Sequence, residues 1–578
     1  MISEFEIRQL SVHDRRTRAK VESFLAQNEL RLDDVDAYYG IFRLDEEEIL
    51  AGGGLKRDII KCVAVREDMR DEHLFNMLVS HLMSVAREEG HFSCKVYTKP
   101  KNLAIFQSLG FKLIAQSPQA LFMQNSLSEL NKYKAYLAEK ANQVCAKRRG
   151  LIIMNANPFT RGHRYLVEQA SSQVDHLFVI VVKENVSLFD YRYRLAMVTK
   201  GCSDLGNVTV LEGSDYQISS ATFPTYFLKQ VTDATDEHIR LDLDVCVRHI
   251  IPALGITARF VGTEPTDKLT ARYNELMHEV LEAQFVKVEE IERLTIEDKV
   301  VNASRARQLG DLSIVYPTST PYVLGVMAAE AMRCELELKG KPGLIGPTDN
   351  GAHSDMNYDM MRRSIDAIEP FLVDLALLCY AENLPESQEV IRHGVMAEKA
   401  MIEATGGVNT HKGAIFALGM MVAGVAHCVY RLHKIDIQQV REAIKILAEE
   451  IPTTNNTHGA EVRKKHHIKG ALDMAIEGYA QLFDDWMPFY QKIKDNEHAG
   501  LRLLLHIVAT LEDNNLYHRG GAELTQEAQQ RCAQLADNFR IEDNEALNEW
   551  MKSRNLSPGG SADMLALTLF AAHIIYNI

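Results

Sequence analysis

The chain has 578 residues, of which 46% are hydrophobic and 25% charged. It is too long for one core and ordinary in composition for a globular protein, so roughly three or four domains are expected. A formal net charge of −15 argues against nucleic-acid partners and against an anionic membrane surface, since both ask for a basic face.

From Met1 to about Ser126, short β-like runs (YYGIFRL, IIKCVAV, CKVYTK, ALFMQN) surround one strongly amphipathic run, Leu74 to Glu88. That predicts an α+β domain over 1–126. Residues 127–149 hold strong helix formers without Gly or Pro and read as a connecting helix. Over 150–315 apolar strands (GLIIMNA, HLFVIVV, VTVLEG, ARFVGTEP, FVKVEEIER) alternate with helical segments, the pattern of an α/β domain with a parallel sheet. Beyond, over 316–578, long Ala-, Leu- and Met-rich segments joined by Gly-bearing polar loops predict an all-α domain. The most apolar stretch, GAIFALGMMVAGVAHCVYRL, is interrupted by Gly and His and reads as a buried helix, not a membrane span. MISEFEIRQL lacks the basic-then-apolar pattern of a secretory signal. Nine cysteines are scattered singly, with no C-x-x-C pair. Neither a zinc ribbon nor a dithiol site is expected, and a cytoplasmic location fits.

In IIMNANPFTRGHRYLVEQA, Ile152 to Ala170, an apolar strand runs into a helix. The corner carries Asn157, Pro158, Thr160, Gly162 and His163, more chemistry than a turn needs. In doubly wound sheets, helix N-termini beyond the carboxyl ends of strands offer free N–H groups and a positive dipole end to phosphates. Gly162 would let the backbone approach, and Thr160 and His163 could reach the same oxygens, His163 stabilising charge at the α-phosphate. Asn157-Pro158 would fix the turn. An N-capped helix with a satisfied histidine is the plain alternative. Later, VNASRARQL (Val301 to Leu309) sets Ser304, Arg305 and Arg307 at a second strand-to-helix junction.

Together these segments resemble the paired signatures of the HxGH nucleotidyltransferase superfamily, T-x-G-H here with a degenerate I-S-S-T-x-x-R. Thr160 stands where many members have His, and Val301 to Ser304 depart from Ile-Ser-Ser-Thr. More narrowly, the same corner with VVKENVSLFDYRYRL, GSDYQISSATFPTYFLK, RFVGTEPTDKLTARYN and VEEIERL resembles citrate lyase ligase over about 1–312. The resemblance implies that ATP and acetate give acetyl-adenylate with release of pyrophosphate. The acetyl group then passes to the prosthetic-group thiol of the citrate lyase acyl carrier protein. No covalent enzyme nucleophile is required, in keeping with the absence of a Cys-His or G-x-S-x-G pattern. Thr160, His163, Ser304 and Arg307 are expected at the phosphates, with Asn157 and Gly162 shaping the turn. Lys183 and Arg194 are candidates for the same pocket or for surface roles. Glu264, in GTEP, is a candidate at ribose or Mg²⁺, or a strand-end carboxylate.

The region up to Ser126 resembles a GNAT-type acetyltransferase domain through VAVREDMRDEHLFNMLVSHLMSVAREEG and PKNLAIFQSLGFK. After Arg70, His73 and Phe75 occupy the positions where that family's phosphate loop has small residues. The domain is therefore expected to dock the carrier protein or its pantetheine arm, or to serve structure alone.

Four polar clusters interrupt the helical half: KGKPGLIGPTDNGAHSDM, TGGVNTHKGAIFALG, LEDNNLYHRGGAE and NLSPGGSADMLALT. Helix starts converging on one cavity would bind phosphates, and Asp355, Asp513 and Asp563 could hold Mg²⁺. The clusters closely resemble the triphosphoribosyl-dephospho-CoA synthase family over roughly 322–578. That family implies attack of 3′-dephospho-CoA on C1′ of ATP, with adenine leaving and the triphosphate retained. Asn409, His411 and Lys412 would be phosphate or ribose ligands, as would Arg519 with Gly520 and Gly521. Asp355, Asp513 and Asp563 would be metal or general-acid candidates. Leu472 and Met474 depart from that family's Arg and Glu. The expectation is a bifunctional enzyme of citrate lyase maturation, using ATP, Mg²⁺, acetate and 3′-dephospho-CoA. The alternatives are another nucleotidyltransferase fused to a helical domain, or a non-catalytic assembly factor for the carrier protein.

Overall fold

The computed structural model describes residues 4–44, 46–69, 72–184, 187–217, 231–264, 267–297, 299–452 and 464–577, the side chains at 72 and 231–234 excepted. Arg70, most of the QISSATFPTYFLK stretch, Pro265 and the THGAEVR stretch lie outside the described residues. By its internal contacts the chain divides into two units, one of 1–157 with 162–300 and one of 158–161 with 301–578.

The first unit contains two sheets. Strands β1 (Phe5–Leu10), β2 (Ala37–Arg43), β3 (Ala51–Lys56), β4 (Ile59–Val65), β5 (Lys95–Thr98), β6 (Lys112–Gln116) and β7 (Leu121–Gln124) form a sheet of order β1-β2-β3-β4-β5-β7-β6. Its only parallel pair is β4 with β5, joined at Ile59↔Lys95 and Ile60↔Val96, so the two strands diverge beyond. Helices α1 (Arg15–Gln27), α2 (Glu72–Glu88) and α3 (Leu103–Ser108) accompany it. On α2, Leu74, Leu78, Val79, Leu82 and Ala86 recur at helical spacing and are buried in one core with Ile60, Val96 and Met123. Strand β3 carries AGGGLK, a glycine run that has no alternating pattern to announce it. A side chain at Gly52 would strike Tyr38 and one at Gly54 would strike Val35, so packing over the strand selects the glycines.

After α4 (Ser128–Asn142) come β8 (Arg149–Met154), α5 (Arg161–Ser171), β9 (His176–Val181), α6 (Tyr191–Gly201) and β10 (Val208–Glu212). Then follow α7 (Val231–Val245), α8 (Ile251–Leu254), β11 (Ala258–Gly262), α9 (Lys268–Glu282) and β12 (Lys287–Ile291). The connecting helix expected to reach Arg149 stops at Asn142, because the Arg149 guanidinium takes up the carbonyls of Ala141, Val144 and Ala146. The five strands are all parallel, in the order β10-β9-β8-β11-β12. The order reverses between β8 and β11. Those two pair only at Ala258↔Gly150 and Arg259↔Leu151 and part toward their carboxyl ends, which opens the crevice where such sheets bind ligands. Glu237 on α7 accepts from Ser117 Oγ (2.5 Å) and Gln119 N (2.8 Å), tying the second sheet's helices to the first sheet.

The second unit is helical: α10 (Ala303–Leu309), α11 (Thr320–Glu337), α12 (Tyr358–Cys379), α13 (Ser387–Thr405), α14 (Lys412–Leu432), α15 (Ile437–Glu449), α16 (Ala471–Ile476), α17 (Met487–Ile493), α18 (Ala499–Thr510), α19 (Asn514–Asp537), α20 (Ile541–Ser553) and α21 (Gly559–Ile574). Helix α14 alone among the described residues is long and apolar enough to cross a membrane, yet its most apolar 18-residue stretch is 83% buried inside the protein. It packs against α11, α12, α15 and α21 as a core helix. Where α11 crosses α12, a Cβ at Gly325 would overlap the Val373 backbone. Gly325→Ala is therefore expected to lower the stability of this unit by about 2–3 kcal/mol through overpacking. A urea midpoint unchanged from wild type would show that the crossing adjusts.

Candidate active sites

The corner begins where β8 ends at Met154. Ala156 sits at φ 51°, a left-handed conformation that turns the chain sharply. Asn157 Oδ1 accepts from Phe189 N (3.1 Å), which ties the corner to the loop before α6. Gly162 and His163 follow, half-buried, in the first turn of α5. Pro158–Arg161 group with the second unit. There Thr160 is buried and bridges Val315, Phe159 O accepts from Tyr316 N (3.3 Å), and Arg161 Nε donates to Ser313 O (2.8 Å). The second unit also holds Ser304 and Arg307. Asn302 caps α10 by accepting from Ser304 N (2.8 Å), and Arg307 donates to Ser304 Oγ (2.9 Å), so hydroxyl and guanidinium lie side by side. Arg305 is engaged in an ion pair with Asp311.

Three expected pocket residues have other work. Arg194 is wholly buried and donates to Phe189 O, Asn155 O, Asn155 Oδ1, Val182 O and Glu184 O, at 2.6–2.9 Å. It ties together the loops after β8 and β9. Lys183 stands 3.7 Å from Asp215 and lines a separate cavity with Lys95, Tyr133 and Tyr216. Glu264 is a strand-end carboxylate: it pairs with Arg293 and accepts from Asp267 N (3.0 Å). Arg293, the partner that decides this, lies far along the sequence in no recognisable spacing.

In the second unit the four polar clusters meet at one cavity of about 420 Å³. Its wall includes His353, Asn409, His411, Lys412, Asp513, Arg519 and Asp563. A fifth segment adds Lys469 and Met474, the second being one of the two positions that depart from the family's pattern, and α11 adds Glu335, which no motif announced. Arg519 donates to Ala352 O (3.0 Å) and Asn555 Oδ1 (3.1 Å) and lies 3.3 Å from His353 Nδ1. His353 Nε2 lies 2.8 Å from Ser557 Oγ. Lys412 lies 2.8 Å from Glu398, its backbone N–H donating to Asn409 Oδ1 (3.3 Å). Beneath them Lys341, its side chain 1% exposed, pairs with Glu335 (2.6 Å).

The expected roles of Asp355, Gly520 and Gly521 do not hold in this geometry. Asp355 is solvent-facing, 3.6 Å from His353, and is not part of the cavity wall. Gly520 packs on Leu556 and Leu524, and Gly521 (φ 64°) kinks α19. Asp513 is a structural cap: Oδ1 accepts from Asn515 N and Leu516 N, Oδ2 from Ser561 N and Ser561 Oγ. Asp563 crowds Gly413 at the start of α14 so closely that a Cβ there would collide with its carboxylate. Burial, then Glu335 and Asp513, pushes the Asp563 carboxyl well above the usual carboxylate range. Among the described residues no three His, Cys, Asp or Glu side chains converge as a metal site. The three-aspartate Mg²⁺ set is therefore not assembled, because one member faces solvent and another is consumed by helix capping.

His411 is 5% exposed. Burial first, then the Lys341 charge, pushes its pKa from 6.5 down to about 3. A base with a depressed folded pKa adds stability that is present above the unfolded value and lost as pH falls. The wild type is therefore expected to lose stability between pH 6.5 and 3, and His411→Gln to show a shallower loss by up to one proton. Parallel pH profiles in urea titrations would contradict this.

Two family models match the chain: citrate lyase ligase C-terminal domain over residues 149–313, and ATP:dephospho-CoA triphosphoribosyl transferase over 322–577. The protein is thus an enzyme with a ligase part and a transferase part. The [Citrate [pro-3S]-lyase] ligase of Haemophilus influenzae is 42% identical over 294 residues, covering 50% of this chain and 87% of that protein. The same ligase of Escherichia coli is 40% identical over 309 residues, covering 52% and 87%. A probable 2-(5''-triphosphoribosyl)-3'-dephosphocoenzyme-A synthase of Acinetobacter calcoaceticus is 33% identical over 263 residues, 43% of this chain and 89% of that protein. The chain belongs to the citrate lyase ligase family through its N-terminal half and to the triphosphoribosyl-dephospho-CoA synthase family through its C-terminal part. Among solved structures, a pantothenate synthetase from Thermus thermophilus aligns at 16% identity over 34% of this chain and 72% of that one, with a TM-score of 0.24, a likeness too slight to carry an argument.

Proposed function

We propose that the chain performs two ATP-consuming steps in the maturation of citrate lyase. In the ligase part, ATP and acetate give acetyl-adenylate and pyrophosphate. The prosthetic-group thiol of the citrate lyase acyl carrier protein then displaces AMP. A thiol cannot displace hydroxide from acetate, but it displaces AMP from a mixed anhydride, so no enzyme nucleophile is needed. The position of the corner at the β8 end of the sheet's switch point supports phosphate binding there by Gly162 and His163, and the family resemblance supports Thr160, Ser304 and Arg307 as phosphate ligands.

In the transferase part, the 2′-hydroxyl of 3′-dephospho-CoA attacks C1′ of ATP. The C1′–N9 bond breaks, adenine takes up a proton, and the triphosphate stays on the transferred ribose. The observation that carries this reading is the single cavity in which all four polar loops meet. Arg519, Lys412 and Lys469 supply positive charge for the triphosphate there. Mg²⁺ would arrive on the nucleotide's own phosphates, since the described residues build no carboxylate cage for it.

We assign 1–126 to a GNAT-like domain, 127–149 to a connector, 150–315 to the nucleotidyltransferase domain and 316–578 to the helical synthase domain. The order β1-α1-β2-β3-β4-α2-β5-α3-β6-β7, with β4 and β5 diverging, supports the first assignment. Phe75 packs edge-on against Phe106 (5.2 Å) where small residues would cradle phosphate, which favours docking of the carrier protein or its pantetheine arm over acetyl-CoA binding. The test is incubation with ATP, Mg²⁺ and 3′-dephospho-CoA. Free adenine with a triphosphoribosylated product is expected. No adenine, from protein that still makes AMP with acetate and the thiol-bearing carrier, would reduce the chain to a ligase.

A further inference from the structure

We infer that His411 reads the purine of the nucleotide bound in the helical cavity, through Nε2, with Ser364 and Thr410 holding its ring for that contact. The inference rests on the reading of this cavity as the ATP-consuming transferase site, and it changes the part expected of His411 from phosphate or ribose ligand to base ligand.

The geometry is that of a ring held on one side and left unpaired on the other. His411 Nδ1 lies 2.8 Å from Ser364 Oγ and 3.1 Å from Thr410 Oγ1, and the two hydroxyls are 2.7 Å apart. Its backbone N–H donates to the Met401 sulfur (3.2 Å). The ring therefore has no freedom to swing. Nε2 belongs to the cavity wall's histidine, is buried, and has no hydrogen-bond partner within the protein among the described residues. A buried polar atom left unpaired is costly, so a site that keeps one in a preformed cavity is built to meet a ligand atom.

Charge decides which ligand atom. Held neutral by burial and by Lys341, the imidazole lacks what a phosphate asks of a partner. Of the cavity's cations, Lys412 adjoins His411 and is paired with Glu398, while Arg519, flanked by His353, and Lys469 stand on other segments. One turn from Ser364 on α12 is Met361, and Met332 and Met564 also line the wall. Adaptable apolar side chains with one directional, uncharged hydrogen bond suit a heteroaromatic base. They do not suit a polyanion.

The ligase part also takes ATP, so the experiment needs a local readout. Methyl-labelled methionine NMR of the full chain supplies one through the Met361 and Met564 signals. ATP and ribose 5-triphosphate, the same ligand without its base, are titrated into wild type, His411→Ala, His411→Gln and Ser364→Ala. His411→Ala should weaken ATP roughly 10- to 100-fold and ribose 5-triphosphate less than about twofold. His411→Gln, which keeps a neutral hydrogen-bonding group, should recover part of the ATP affinity, and Ser364→Ala should show an intermediate loss. Equal losses for both ligands, or unchanged ATP affinity in His411→Ala, would overturn the inference while leaving the ATP site in place. Cavity signals that ignore ATP in the wild type would overturn the transferase reading itself, and this inference with it.

Discussion

Asp513→Ala is expected to cost the helical unit about 2–4 kcal/mol and to remove adenine release. The carboxylate is 1% exposed and accepts four hydrogen bonds, from Asn515 N, Leu516 N, Ser561 N and Ser561 Oγ. It caps α19 and at the same time pins the first turn of α21, so alanine strands donors at both helix starts. Part of the loss is offset, because burial already pushes this carboxyl above its ordinary pKa. Asp513→Asn should fall between the two: its oxygen can still serve α19, but an NH₂ would face the Ser561 N–H. Both tryptophans of the chain, Trp486 and Trp550, lie in the helical unit, so tryptophan fluorescence in urea reports this unit alone. A variant within about 0.5 kcal/mol of wild type would mean the cap is dispensable. A stable variant that fails to release adenine would instead put Asp513 in the chemistry.

The same two helix starts show what the sequence could and could not disclose. Clusters such as NLSPGGSADM and LEDNNLYHRGG are visible as loops before helices, and the apolar periodicity beyond them marks the helices themselves. Their convergence on one cavity follows from family resemblance and not from spacing. Which aspartate would do what was not legible. Asp513, Asp355 and Asp563 are the same residue type in similar loops, yet one caps two helices, one faces solvent and one crowds Gly413. That sorting depends on where distant backbone N–H groups fall, and no local pattern encodes it. Ser364 carries no motif, and Lys341 is not singled out within its cluster, although the first orients the histidine and the second disfavours its charge. In the first unit the parallel strands were legible because strands covered on both faces read as continuous apolar runs, HLFVIV being buried throughout. The glycine-rich β3 was not, since its pattern answers to side chains of other elements.

Arg194→Ala should be the most damaging single change in the first unit, at about 3–5 kcal/mol. One guanidinium there satisfies carbonyls at Asn155, Val182, Glu184 and Phe189 together with the Asn155 side chain. These groups lie just beyond the carboxyl ends of β8 and β9, so the arginine holds the floor of the corner. Alanine leaves a cavity and several buried carbonyls unpaired. Arg194→Lys should recover less than half of the loss, because an ammonium cannot reproduce the fork that reaches both loops at once. Hydrogen–deuterium exchange is the discriminating measurement. Faster exchange confined to the peptides around 152–157 and 182–192, with lower thermal stability and at least roughly tenfold slower acetate-dependent AMP formation, is expected. Normal exchange and stability, combined with a raised KM for ATP, would mean that the guanidinium leaves its carbonyls to bind phosphate, and the corner would then need Arg194 as a ligand after all.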